Sequence, residues 1–222
     1  MNSMIKVENV TKKFGDDTIL ENITIDFEKG KIYGIIGRNG SGKTVLFKLI
    51  IGFLKPTRGR ILVEGKEIGK DIDFAEQTGM IIETPGFLSA FNGYKNLEYL
   101  AAIKKAIGKK EIQESMIRVG LDPKSKKKVG KYSLGMRQRL GIAQTIMENP
   151  DILILDEPMN GLDKQGVEDV RKILLKLKEE GKTILLASHN KEDIEILCDE
   201  VYEMDDGKFA NNIARSSDPM LK

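Results

Sequence analysis

Lys31 to Gly52 reads "KIYGIIGRNGSGKTVLFKLIIG", and no other stretch limits the possible folds so tightly. Ile32 to Ile36 is nearly continuous apolar sequence that stops in glycines. It therefore reads as a strand buried on both faces by parallel neighbours rather than one with a wet side. Gly37 to Thr44, "GRNGSGKT", then matches G-x-x-x-x-G-K-[ST]. With glycine at about 7% of residues, such a match arises by chance in about one chain of this length in a hundred. The position of the motif, between a buried strand and a helix that ends near Gly52, narrows this further. Glycines let backbone N–H groups converge on a phosphate without Cβ clashes, and the helix N-terminus favours the anion. Gly37, Arg38, Asn39, Gly40, Ser41 and Gly42 are the candidate cradle. Lys43 is the candidate to reach the β- and γ-phosphates of ATP, and the Thr44 hydroxyl the candidate Mg²⁺ ligand. The bland alternative is a glycine-rich turn with no ligand.

The remaining pattern agrees with an α/β fold. Residues 1 to about 30 alternate apolar and polar around "FGDD", as short half-buried strands do. "GRILVEGKEIG" reads as a further hairpin-like strand. Phe87 to about Met147 is mostly helical in pattern, with Gly108 and "VGLDPKS" as breakers. "DILILDEP" and "KTILLASHN" are two more buried strands separated by a helix over Gln165 to Glu180, and "CDEVYEMDDGKF" resembles a closing hairpin. The tail from Ala210 is polar and reads as loose. Strands alternating with helices imply a mostly parallel sheet, with an antiparallel N-terminal layer and a helical insert.

A phosphate cradle requires an acid for the metal and a group to activate water. Asp156 and Glu157 end the strand "ILILDEP", where a parallel sheet opens towards the cradle. Asp156 is the candidate metal-side carboxylate and Glu157 the candidate general base. His189 ends the neighbouring strand and can reach a γ-phosphate, although a lone histidine there is more often structural. The charge run Pro123 to Lys131, "PKSKKKVGK", is read as a solvated face, and Met80, Met136 and Met147 as core or interface fillers.

Composition removes several classes of function. The 222 residues carry a formal charge of +2, too small to argue for nucleic acid, and one cysteine and one histidine exclude structural disulfides and zinc. No apolar run approaches the roughly 18 residues needed to cross a bilayer, and "MNSMIKVENV" lacks the apolar stretch of a signal peptide, so a cytoplasmic location is expected.

From Ile5 to about Phe209 the ordered set of motifs resembles the ATP-binding subunit of an ABC transporter. The order is Phe14 in "KKFG", the cradle, "YSLGM" at Tyr132 to Met136, "ILILDEP", "NGLD" at Asn160 to Asp163, and His189. The resemblance implies one domain over 1–222: a P-loop NTPase core, an N-terminal antiparallel β subdomain, a helical subdomain over about 86–140, and a loose tail at 210–222. It implies that Phe14 stacks the adenine ring. It also implies that Ser133 and Gly135, standing where the family has LSGGQ, cover the γ-phosphate held by a second copy, and that Asn160 to Asp163 carry signals across that interface. A membrane-spanning permease is the implied partner, met through Pro85 to Asn96, with no nucleic acid. The protein would then sit on the inner face of the cell membrane.

Two departures from the family stand out. Leu134 and Met136 replace glycine and glutamine in the signature, and Glu83 in "GMIIETPGF" stands where the family has glutamine. Glu83 is a candidate for both the nucleotide and the Mg²⁺, a harder metal ligand that also adds negative charge near the γ-phosphate. "IETP" together with "SLGMRQRLGIA" resembles the branch serving export of, or immunity to, antimicrobial peptides such as bacitracin and lantibiotics. Rival readings are a family member acting on nucleic acid or ribosomes, a P-loop kinase, and a nucleotide-binding module without turnover. The first would carry two ATP-binding units, a long coiled coil or cysteine clusters. The second leaves "YSLGM" and "NGLD" unexplained, and the third leaves Glu157 and His189 without a role.

Overall fold

A computed structural model describes residues 3–83 and 86–214, with side chains described as far as Ala210. Pro85, at the start of the segment expected to meet a membrane partner, lies outside the described residues, as does the expected tail from 215 to 222. The elements in order are β1 (Ser3–Phe14), β2 (Asp17–Glu28), β3 (Ile32–Ile36), α1 (Lys43–Ile51), β4 (Arg58–Val63), β5 (Lys66–Glu67) and β6 (Thr78–Ile81). They continue with α2 (Gly93–Lys104), α3 (Lys109–Arg118), α4 (Leu134–Ile146), β7 (Ile152–Asp156) and α5 (Lys164–Glu179), then β8 (Thr183–Ala187), α6 (Lys191–Leu197), β9 (Glu200–Asp205) and β10 (Lys208–Ala214).

Two sheets result. An antiparallel sheet has the order β2-β1-β4-β5, and a larger one the order β10-β9-β3-β8-β7-β6. All pairings in the larger sheet are parallel except that of β10 with β9. The architecture is the α/β P-loop fold expected from the sequence.

The central strands are apolar throughout because consecutive side chains serve two different cores. Ile32, Leu153, Leu155, Ile184 and Leu186 pack with residues of α2, α3, α4 and α5. Tyr33, Ile35, Ile152, Ile154, Leu185 and Ala187 pack on the other face with α1, β1 and β2.

Two boundaries differ from the sequence reading. β1 and β2 are long rather than short, because their pairing absorbs register shifts, with Asn9 and Asn22 at positive φ. The polar segment after Ala210 continues as strand to Ala214, since the outer edge of β9 offers it a ladder of backbone partners.

Register sets the ends of three strands level. Asp156 lies opposite Ala187, and Ala187 opposite Ile35, so the residues that follow β3, β7 and β8 emerge together at the carboxyl edge of the sheet. Truncating a side chain at the middle of this stack tests how much it contributes: Leu186→Ala, at a fully buried position, should lower the unfolding free energy by about 2–5 kcal/mol. Denaturant titration at unchanged m-value is the measurement.

Candidate functional site

At the end of β3 the chain turns back over the start of α1. Gly37 has φ 151, and a Cβ there would overlap the Met204 carbonyl oxygen, so only glycine fits. α1 begins at Gly42, which supplies no side-chain cap. By contrast α2, α4, α5 and α6 are capped by Asn92, Ser133, Asp163 and Asn190. α3 likewise starts at a glycine, Gly108, whose own N–H is taken by Glu111, whereas the first N–H groups of α1 open beside Lys43 and are left for an incoming acceptor. Lys43 is buried, and its Nζ donates to the carbonyls of Gly37 at 2.7 Å and Arg38 at 3.0 Å. Among the described residues no carboxylate pairs with it. The Ser41 hydroxyl is buried and lacks a hydrogen-bond partner among the described residues. Arg38 turns outward to Asp205 at 2.6 Å, and Asn39 and Gly40 are exposed.

The level strand ends bring the acidic residues to the same place. Thr44, in the first turn of α1, donates from Oγ1 to Asp156 Oδ2 at 2.6 Å. Glu157 follows with φ 50, a left-handed conformation that costs a residue with a Cβ about 1–2 kcal/mol. Its N–H donates to the Ala187 carbonyl at 2.9 Å, and its carboxylate Oε2 meets His189 Nδ1 at 2.9 Å. The His189 side chain is 70% exposed, so Nε2 is accessible from outside the chain. Its loop is held from beneath: the Asn190 N–H donates to Ser188 Oγ, which donates in turn to Asp193. Asp193 is buried against Arg171, whose Nε donates to it at 2.8 Å while Nη2 also reaches Glu192 at 2.9 Å. Hydrogen bonds to Glu192, and secondarily to Asp193, raise the Arg171 guanidinium above its ordinary value against the effect of burial.

The other sequence candidates lie further out. Phe14, at the end of β1, is 48% exposed, with Lys12 Nζ 4.7 Å from its ring centroid. Ser133 caps α4 by accepting from the Met136 N–H at 3.2 Å. A Cβ on Gly135 would lie 3.1 Å from the Gly161 carbonyl oxygen, so the signature turn packs on the "NGLD" loop of its own chain. Glu83, at φ 61, pairs with Lys48 of α1 at 2.7 Å.

Lys48 and the Arg171–Asp193 pair are absent from the sequence reading. The one available signal for Lys48 was its spacing of one helical turn from Thr44, which puts both on one face of α1. Nothing local pointed to Asp193.

A family model described as ABC transporter matches residues 20–160. The chain is 49% identical over 206 residues to a Bacillus subtilis (strain 168) protein named uncharacterized ABC transporter ATP-binding protein YybJ, covering 93% of this chain and 94% of that one. It is 41% identical over 215 residues to the bacitracin transport ATP-binding protein BcrA of Enterococcus faecalis, covering 96% of this chain and 70% of that one. A solved dimeric, post-hydrolysis ATP-binding cassette bound to ADP and Pi matches with a TM-score of 0.86 at 26% identity, over 97% of this chain and 100% of that one.

Breaking the support beneath His189 should be costly. Arg171→Met leaves the Asp193 carboxylate buried without its partner, a loss of about 3–5 kcal/mol by the usual cost of an orphaned buried charge. Thermal or denaturant melting of the variant against the parent chain measures it.

Proposed function

The chain belongs to the ABC transporter family as one of its ATP-hydrolysing subunits, and from that premise we propose that two copies close on two ATP–Mg²⁺ molecules and reopen on hydrolysis, driving a separate membrane-spanning permease. The observation that carries this reading is the meeting of Thr44 with Asp156 at 2.6 Å and of Glu157 with His189 at 2.9 Å beside the uncapped start of α1.

The residues present fit both groups. An uncapped helix start, the Lys43 ammonium and the unpartnered Ser41 hydroxyl suit a polyphosphate. A hydroxyl and a carboxylate within hydrogen-bond reach are hard oxygen donors of the kind Mg²⁺ takes. When bound, Mg²⁺ supplies charge neutralisation on the phosphate oxygens. In the proposed site Lys43 leaves its two backbone carbonyls for the β- and γ-phosphates. Glu157 takes the proton of the attacking water on its carboxylate. His189, held at Nδ1 by Glu157, presents Nε2 towards the γ-phosphate. Phe14 offers its open face to the adenine.

The second copy completes the enclosure. The Ser133 Oγ accepts from Met136, so its own O–H remains available to donate. The Gly135 N–H, in the first turn of α4, has no intrahelical acceptor. Both suit a phosphate arriving from a twin, in line with the dimeric state of the solved cassette. Glu83 stands near the nucleotide with its charge offset by Lys48.

The permease is proposed to meet the segment ending at Asn96, where Leu88 and Phe91 are exposed. Among the described residues no helix is long and apolar enough to cross a membrane. The relative named for bacitracin transport supports a peptide or drug as cargo, with export or resistance as the outcome.

Replacing the proposed base isolates the chemical step. Glu157→Gln should lower ATP hydrolysis by about 10²–10⁴-fold while nucleotide binding is retained; loss of binding would remove the assignment. Ser133→Ala with Gly135→Asp should abolish ATP-driven dimerisation, followed by sizing, while the monomer still titrates with ATP. Loss of ATP binding by the monomer would place this turn in the site of its own chain.

A further inference from the structure

Gln138 is a polar side chain on α4 with 7% exposure, and the activity derived so far gives it no role. Its Nε2 donates to the Pro158 carbonyl at 2.8 Å and reaches the Glu157 carbonyl at 3.4 Å. These are the two carbonyls that directly follow the Glu157 α-carbon. Proline has no N–H, so the first peptide of this turn cannot be held through a donor of its own. The Glu157 carbonyl receives one further bond, from the Asn160 N–H at 3.2 Å. The conformation being held is left-handed, φ 50, which a residue with a Cβ leaves readily unless its surroundings fix it.

A second contact joins the same two segments. Leu134 lies four residues before Gln138, on the same face of α4. A Cβ at Gly161, where φ is 77, would overlap both Cγ and Cδ2 of Leu134. The loop from Glu157 to Gly161 is therefore tied to α4 at both of its ends, polar at Gln138 and apolar at Leu134. The bulky residue at 134, a departure from the family pattern, fills the space that the missing Cβ of Gly161 leaves open.

We propose that Gln138 is a positioning residue for Glu157, transmitting to the carboxylate the position that α4 adopts when its first turn meets a nucleotide. This rests on the reading of Glu157 as base and of Ser133 and Gly135 as facing the nucleotide of a second copy. In a closed dimer the two roles of one chain then serve different nucleotides: α4 touches the one held by the twin, while Glu157 acts on its own. The Gln138 amide is the joint by which occupancy of one site readies the base of the other.

The test is a double-mutant cycle on the full chain, reading ATP turnover, ATP-driven dimerisation and thermal unfolding. Gln138→Met keeps the volume of the side chain and removes its donor. Alone it should lower kcat at least about tenfold, since a displacement near 1 Å of a catalytic group costs up to about 10²-fold. KM and dimerisation should change little, and the melting temperature should fall by no more than the few degrees that one orphaned carbonyl costs. Added to Glu157→Gln, it should lower the residual rate less than about twofold, because no base is left to misplace. Equal losses in both backgrounds, an unchanged kcat, or lost dimerisation would each overturn the proposal. If Glu157→Gln alone does not slow hydrolysis, the reading of Glu157 fails first and the proposal with it. Should the methionine variant lose cooperative unfolding, Gln138→Asn, which keeps an amide but withdraws it by one methylene, is judged by the same criterion.

Discussion

A strand buried on both faces has only its end on which to place a polar side chain, and the chemistry of this chain follows from that constraint. β3, β7 and β8 are parallel and in register, so Gly37, Asp156 and the loop carrying His189 leave the sheet at one edge. The Thr44–Asp156 hydrogen bond then ties α1, which begins in the cradle, to β7. If one strand slipped by a residue, its side chains would change faces between the two cores, so the packing that stabilises the sheet also fixes the spacing of the polar groups.

Much of this was legible in the sequence. Continuous apolar runs mark the buried parallel strands, and the candidates Asp156, Glu157 and His189 follow from their ends, Lys43 and Thr44 from the glycine motif between β3 and α1. The signal was local: each strand end adjoins its own apolar run. What escaped was long-range. Arg171 and Asp193 are far apart in the chain and meet only because α5 and α6 pack together. Glu83 read as an added negative charge, and the Lys48 that balances it sits on another element. Gln138 carries no local signal of its own, because its acceptors belong to a turn after the next strand.

The departures in the signature are likewise understood only in three dimensions. In one dimension Leu134 appears as unwelcome bulk beside Ser133. In the fold it covers Gly161, so the change at 134 and the glycine at 161 form one contact. Met136 is part-buried against the core, and its N–H is the one that Ser133 caps. Serine and one glycine thus stay at the surface of the turn; Met136 packs inward, while Leu134 lies against Gly161 with more than half of its surface still exposed.

Lys43 rests on two backbone oxygens of the loop that it closes. The ammonium is buried and already has two acceptors, so in the proposed site a polyphosphate entering the cradle would not have to desolvate it afresh. Binding would then be an exchange of neutral oxygens for charged ones around the ammonium. Selectivity for highly charged ligands would arise from that difference in oxygen charge, and an uncharged molecule of the same shape would gain nothing by displacing the carbonyls.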